Sequence, residues 1–186
     1  ESSISGYPFP NTEFKIIDIN TKKETPLGED GELIISGPNI MLEYLDEPEE
    51  TRNTLLQMDG KTWLHTGDIA CVDKRGLFHY KSRLKRMIIT SGYNVYPSHV
   101  EEILTNHEAI LKCAVIGIKN ESKGEIVKAF IVLREGYNNL LTKSNIQKYM
   151  KENLAKFEIP REIRYIDDLP TTLVGKIAYK ELEKMD

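Results

Sequence analysis

Three groups of residues have types that could do chemistry. Lys176 closes the run Pro170-Thr171-Thr172-Leu173-Val174-Gly175-Lys176, so one ammonium group sits in a turn-rich loop between apolar neighbours. Asp68 ends the tripeptide Thr66-Gly67-Asp68, just after Trp63-Leu64-His65. Lys81, Arg83, Lys85 and Arg86 crowd together ahead of the apolar run Met87-Ile88-Ile89. Guanidinium and ammonium groups in front of a strand suit phosphate or ribose oxygens, which they hold by charge-assisted hydrogen bonds. They equally suit a solvated linker. By residue type alone Lys176 fits a surface loop lysine and Thr-Gly-Asp fits a plain turn. His65, His79, His99, His107, Cys71 and Cys113 show no metal-ligand spacing, so no metal site is expected.

The elements that must position these groups follow from periodicity and breakers. Phe14, Ile16, Ile17 and Ile19 form a strand, Thr21 to Asp30 a loop, and Glu32 to Ser36 a second strand. Pro48 opens a helix that runs to about Leu56, and Met58 to Gly60 breaks it. A short strand at Trp63 to His65 delivers Thr-Gly-Asp, and Ile69 to Asp73 and Leu77 to Tyr80 flank a hairpin turn at Lys74-Arg75-Gly76. Met87 to Ile89 is a buried strand, Gly92 a turn, and Pro97-Ser98 opens a helix to Asn106 with Glu101 and Glu102 in its solvated, dipole-favoured first turn. Strands at Lys112 to Ile118, Ile126 to Leu133 and Glu162 to Ile166 alternate with helices from Thr142, as N-cap, to Leu154 and from Tyr179 onward. Strands precede the basic cluster and mixed strands and helices follow it, which places a domain boundary at residues 81–86 and makes the chain α+β.

Composition excludes several classes. The chain has 186 residues, 40% apolar and 29% charged, with a formal charge of -4, which is globular and carries no nucleic-acid footprint. Two distant cysteines with apolar neighbours fit buried thiols in a reducing compartment. No run has transmembrane length and no signal pattern opens the chain, so a cytoplasmic location is expected. Glu1 to Pro10 contain no start methionine and lead into a strand-like segment, an expectation that the chain begins inside a larger protein.

Ser91-Gly92-Tyr93-Asn94-Val95-Tyr96-Pro97, followed by Val100-Glu101-Glu102-Ile103, resembles the hinge motif of adenylate-forming enzymes, the superfamily of acyl-CoA synthetases, luciferases and peptide-synthetase adenylation domains. Its spelling is closer to the acyl-CoA ligase branch than to the amino-acid-activating branch. Gly31 to Gly37 through Tyr44 resembles a second superfamily motif, with Glu43 in place of its late glycine. Pro170 to Lys176 resembles the C-terminal motif Pro-x-[Thr or Ser]-x-x-Gly-Lys without a gap.

The resemblance implies ATP-dependent activation of a carboxylic acid, fatty or aryl, to an acyl-adenylate, then transfer to the thiol of CoA with release of AMP. It gives Lys176 the catalytic role, as the ammonium that stabilises charge growing on carboxylate and phosphate oxygens. It gives Asp68 and Arg83 the nucleotide, because two carboxylate oxygens match two vicinal ribose hydroxyls. Lys85 becomes the hinge, and Gly92 and Tyr93 line the CoA tunnel, although Tyr93 fits an aromatic packed in the small domain equally well. Ser91, Tyr80 and Lys81 depart from the family spelling and receive no role. Residues 1–82 are expected to end a large AMP-binding N-terminal domain and 83–186 to form a small mobile C-terminal domain. The family's glycine-rich phosphate loop and its magnesium-binding glutamate motif are not among these residues, so most Mg2+ ligands are expected in an N-terminal part and the chain alone is expected to be inactive. Two alternatives stay open: an adenylation domain feeding a carrier-protein thiol, and a non-catalytic binding or scaffold module that keeps the fold.

Overall fold

The computed structural model describes residues 4–7, 9–137 and 140–185. Of the opening stretch expected to lead into a strand, residues 1–3 and 8 lie outside the described residues. The fold is mixed α+β, as expected, and the chain divides into two compact units, Glu1–Lys85 and Arg86–Asp186.

The first unit holds β1 (Ile4–Gly6), β2 (Glu13–Ile17), β3 (Gly31–Ser36), α1 (Pro48–Thr54), β4 (Leu55–Met58), β5 (Lys61–Val72) and β6 (Phe78–Arg83). Its strands form one antiparallel sheet in the order β1-β6-β5-β3-β2, with β4 bonded to β5. Ile17, Ile34 and Trp63 are buried together, with Leu56 and Met58 packed against them.

Three expectations fail in this unit. The helix after Pro48 stops at Thr54, and Leu55–Met58 is a strand paired with β5. Asp59 and Gly60 both have positive φ, the two-residue turn whose twist matches a hairpin, and folding back lets Leu56 and Met58 reach Trp63. Thr-Gly-Asp is likewise no turn between strands, because β5 runs unbroken through it. Gly67, at φ 68, gives a local irregularity inside the strand, and the pairing with β3 shifts register there. Ile19 lies beyond the end of β2.

The β5–β6 turn is fastened by Asp73. Its Oδ1 accepts the N–H groups of Arg75 and Leu77 at 2.8 and 3.1 Å, and its Oδ2 meets Arg75 Nε at 3.0 Å and His79 Nε2 at 3.1 Å. Desolvation opposes the charge on Asp73, but these partners outweigh it and hold the carboxyl well below the usual carboxylate range. A carboxylate with a depressed pKa in the folded state adds stability above its unfolded value of about 3.9, and that stability is lost as pH falls through the folded pKa. Asp73→Asn should therefore lower the melting temperature at neutral pH and close the gap to the unsubstituted chain in acid. Melts over a pH series check this, and a gap that stays constant with pH would count against it.

The second unit holds β7 (Ile88–Thr90), β8 (Tyr93–Val95), α2 (Pro97–Thr105), β9 (Ile110–Asn120), β10 (Gly124–Leu133), α3 (Leu140–Asn153), β11 (Glu162–Tyr165) and α4 (Tyr179–Lys184). The sheet order is β11-β10-β7-β8, with β9 antiparallel to β10 and β11 parallel to it. Strand alternation sorts the core into two faces. Cys113, Val115, Val127, Ala129 and Ile131 point to the side packed by Val100 and Leu104 of α2 and Ile146 and Met150 of α3. Ala114, Ile116, Phe130 and Val132 point to the other side, where Leu169, Ile177, Tyr179 and Leu182 pack.

Local differences are small in extent. Leu84–Arg86 forms one 3-10 turn and Met87 precedes the strand it was expected to open. Thr142 is buried within α3, two residues past its start, and is not its N-cap. Cys71 is half-buried, Cys113 is buried, both are free, and burial pushes both thiols up.

Candidate functional site

The first unit brings Asp68 and Arg83 together. They are directly opposed across the β5–β6 ladder, and Arg83 Nε lies 3.1 Å from Asp68 Oδ1. Thr66 frames them: its hydroxyl donates to Leu33 O at 2.7 Å and accepts the Asp68 N–H at 3.0 Å, while its carbonyl accepts Arg83 Nη1 at 3.0 Å. Gly67, with its positive φ, lies between Thr66 and Asp68 in this cluster. Burial raises the Asp68 pKa while the Arg83 charge opposes the rise. The Arg83 side chain is half exposed, at 52%, so this is an accessible acceptor and donor pair and not a sealed ion pair. Lys85 is exposed in the 3-10 turn, and the first compact unit ends at it. Glu43 is exposed in an irregular stretch.

In the second unit Lys176 lies on an exposed loop whose two ends are tied. Thr171 and Ile177 form an antiparallel bridge, the Thr172 N–H donates to Lys176 O at 2.7 Å, and Thr172 Oγ1 accepts the Lys176 N–H at 3.2 Å. Leu173 and Val174 form the tip, 109% and 79% exposed, while Leu169 and Leu182 at the base are buried. The lysine is therefore carried on a stiff-based, solvent-facing finger.

Gly92 and Tyr93 sit at the β7–β8 hairpin. Ser91 and Gly92 take φ 51 and 82, and a Cβ at Gly92 would meet nothing within 4 Å. Tyr93 is 56% exposed and stacks on Phe157, with ring centroids 4.7 Å apart. Ser91, Tyr93, Phe157, Lys123, Lys156 and Arg161 line a cavity of about 230 Å³. Lys123 and the stretch from Lys156 to Arg161 lie far from the hairpin and from each other in sequence, so sequence reading missed them. Their common place around the hairpin is the only signal, and it is a property of the fold.

One expectation about charge is overturned. Glu101 is not a solvated first-turn residue of α2, for its side chain is 16% exposed and its Oε1 accepts from Arg86 Nη2 at 2.7 Å, the Val115 N–H at 2.9 Å and Tyr179 OH at 3.2 Å. Glu102 remains exposed. Helical position put Glu101 on the side that faces β9, and its partners lie far away in sequence. His65, given no role, bonds through Nδ1 to the buried Glu32 at 2.9 Å. Among the described residues no three His, Cys, Asp or Glu side chains gather as a metal site. No helix among them is long and apolar enough to cross a membrane.

The chain belongs to the AMP-binding enzyme family. Residues 1–45 match the model of the AMP-binding enzyme, and residues 99–176 match that of the AMP-binding enzyme C-terminal domain. Among curated relatives, an indenyl-propanoyl:CoA ligase of Mycobacterium tuberculosis is 38% identical over 97% of this chain and 32% of its own length. A long-chain-fatty-acid–CoA ligase of Escherichia coli is 36% identical over 95% of this chain and 30% of its own length. The chain thus spans about a third of the length of the curated relatives it matches. The ATP-bound structure of MatB from Rhodopseudomonas palustris aligns with a TM-score of 0.88 at 30% identity, over 98% of this chain and 35% of that one. The apo structure of the same relative aligns over the same share of this chain with a TM-score of 0.71, so the two structures of MatB differ in this region.

Proposed function

We propose that the chain is the C-terminal part of an AMP-forming acid–thiol ligase that activates a carboxylic acid with ATP and passes the acyl group to CoA. The unit that ends at Lys85 closes its nucleotide-binding domain, and the unit from Arg86 is its mobile domain, a boundary three residues later than the expected 82/83. Lys176 on its exposed finger supports this reading more than any other feature, because a scaffold has no use for a lone ammonium held out on a rigid base.

The roles follow from charge and shape. Asp68 has two acceptor oxygens, Arg83 takes one, and vicinal ribose hydroxyls can be shared between the carboxylate and the guanidinium. The carboxylate oxygen of the acid attacks the α-phosphorus of ATP, the bond from that phosphorus to the bridging oxygen breaks, and pyrophosphate leaves. Negative charge then concentrates on oxygens that the Lys176 ammonium can bridge, and no proton need move. In the second step a CoA sulfur attacks the acyl carbon and AMP leaves. The pantetheine arm passes Gly92, and the polyanionic end of CoA meets Lys123, Lys156 and Arg161 around Tyr93 and Phe157. The finger roots on one face of the sheet, and Ile88 and Val95 of the hairpin belong to the core of the other face. Reorienting the small domain about Lys85 exchanges one tool for the other. The two forms of MatB are consistent with such a rearrangement.

The test is pyrophosphate and AMP release by the full-length gene product over a panel of fatty and aryl acids, with and without CoA. Acid-dependent pyrophosphate release without CoA and thioester formation with it are expected, and no acid-dependent release from any acid would defeat the reading. Gly92→Ala probes the tunnel. Only backbone strain of about 1–2 kcal/mol should reach the fold, because the new methyl meets no protein atom. Thioester formation should fall well beyond adenylate formation; an equal fall in both steps would remove the tunnel role.

A further inference from the structure

Glu101, Arg86 and Tyr179 join the start of the mobile unit to the root of the lysine finger. Arg86 follows the hinge residue Lys85 directly and opens the second unit. Its guanidinium bonds Glu101 Oε1 at 2.7 Å and lies over the Tyr179 ring, 3.7 Å from the centroid. The Tyr179 hydroxyl donates to the same carboxylate oxygen at 3.2 Å. That oxygen also takes the Val115 N–H at 2.9 Å, and Arg86 reaches the Val115 carbonyl at 3.5 Å. Among the described residues β9 pairs only with β10 in its sheet, so the Arg86–Glu101 pair latches onto the outward-facing backbone of an edge strand.

Tyr179 is the first residue of α4, three positions after Lys176. Six residues cannot hold a helix by themselves, so α4 depends on what its side chains touch. Among the described residues Leu182 is its one buried member, and Tyr179 is its link to a charged network. From Tyr179 back to Lys176 the chain is short and tied, by the Ala178 N–H to Pro170 O at 2.8 Å and by the Thr171–Ile177 bridge. A shift of the Tyr179 ring therefore moves the base from which the ammonium projects.

We infer that Glu101 and Tyr179 are positioning residues for Lys176, forming with Arg86 a brace that sets the lysine finger against the first residue after the hinge. This rests on the reading of Lys176 as the adenylating cation. Burial keeps the Glu101 pKa above the ordinary carboxylate value, and burial with the adjacent carboxylate pushes Tyr179 up to about 12, so the phenol stays a hydrogen-bond donor at neutral pH. A brace of this kind alters the geometry of a transition-state contact and leaves substrate binding alone, since Glu101 and Tyr179 spend their polar atoms on Arg86, Val115 and each other.

The experiment measures adenylate formation by the full-length gene product in two backgrounds, Lys176 and Lys176→Ala. With Lys176 present, Glu101→Gln and Tyr179→Leu should each lower kcat by about tenfold or more with KM for ATP and acid nearly unchanged, the size expected for a displaced catalytic group. Tyr179→Phe keeps the ring under Arg86 and should recover most of the rate. In the Lys176→Ala background both losses should shrink to less than about twofold, because the group they position is gone. Equal losses in both backgrounds would overturn the inference while leaving Lys176 in its role. If Lys176→Ala itself leaves adenylate formation intact, the underlying reading has failed instead. Should Glu101→Gln not fold, the Tyr179→Leu and Tyr179→Phe pair carries the same comparison.

Discussion

Replacing Lys176 with alanine in the full-length gene product should lower adenylate formation by about 10²–10³-fold, the loss seen when one preorganised charge-stabilising donor is removed from a transition state. The side chain is exposed and its loop is tied through backbone groups and Thr172, so the fold should survive. KM for ATP should change little, because the ammonium meets charge that grows only as the acid attacks phosphorus. Thioester formation from a supplied acyl-adenylate and CoA uses the hairpin face of the same unit and should stay within about threefold of wild type. Single-turnover measurement of each half-reaction checks the split. Loss in both steps alike would mean that Lys176 supports the fold or the nucleotide and not the first chemical step.

Asp68→Ala should behave differently. In the proposed reaction the AMP moiety stays bound through both half-reactions, so its ribose contacts would be needed in each. Two hydrogen bonds to a charged acceptor contribute about 1.5–3 kcal/mol apiece, which sets a fall in kcat/KM for ATP of about 10²–10⁴-fold. Arg83 loses its partner but is half exposed and still bonds Thr66 O, so melting should move little. Asp68→Asn keeps one acceptor oxygen and should fall between. An effect confined to the thioester step would place Asp68 outside the nucleotide site.

Much of the second unit was legible because its strands at 112–118 and 126–133 are short, nearly continuous apolar runs. That both faces are buried, one by the core that roots the finger and one by the core of the hairpin, is seen only in the fold. The chemical residues were legible only by resemblance, since a lysine in a loop and an aspartate after glycine carry no signal of their own. What stayed hidden depended on distant partners. Leu55 and Leu56 read as the end of a helix, with Met58 in its breaker, because their pull toward Trp63 appears only once the Asp59-Gly60 turn folds them back. Glu101 read as solvated because Arg86, Val115 and Tyr179 meet it from three other segments. The ring of Phe157 beneath Tyr93 was invisible for the same reason.

The claim on which the chemistry depends is that the unit beginning at Arg86 swings about Lys85 to exchange the lysine finger for the hairpin. Its most direct test is a distance distribution between spin labels at Lys74 and Leu173, both exposed, in the full-length gene product held first with ATP and then with a stable acyl-adenylate analogue and CoA. Two separated distances, with the population moving from one to the other between the two conditions, are expected. A single distance unchanged by either ligand set would contradict the swing.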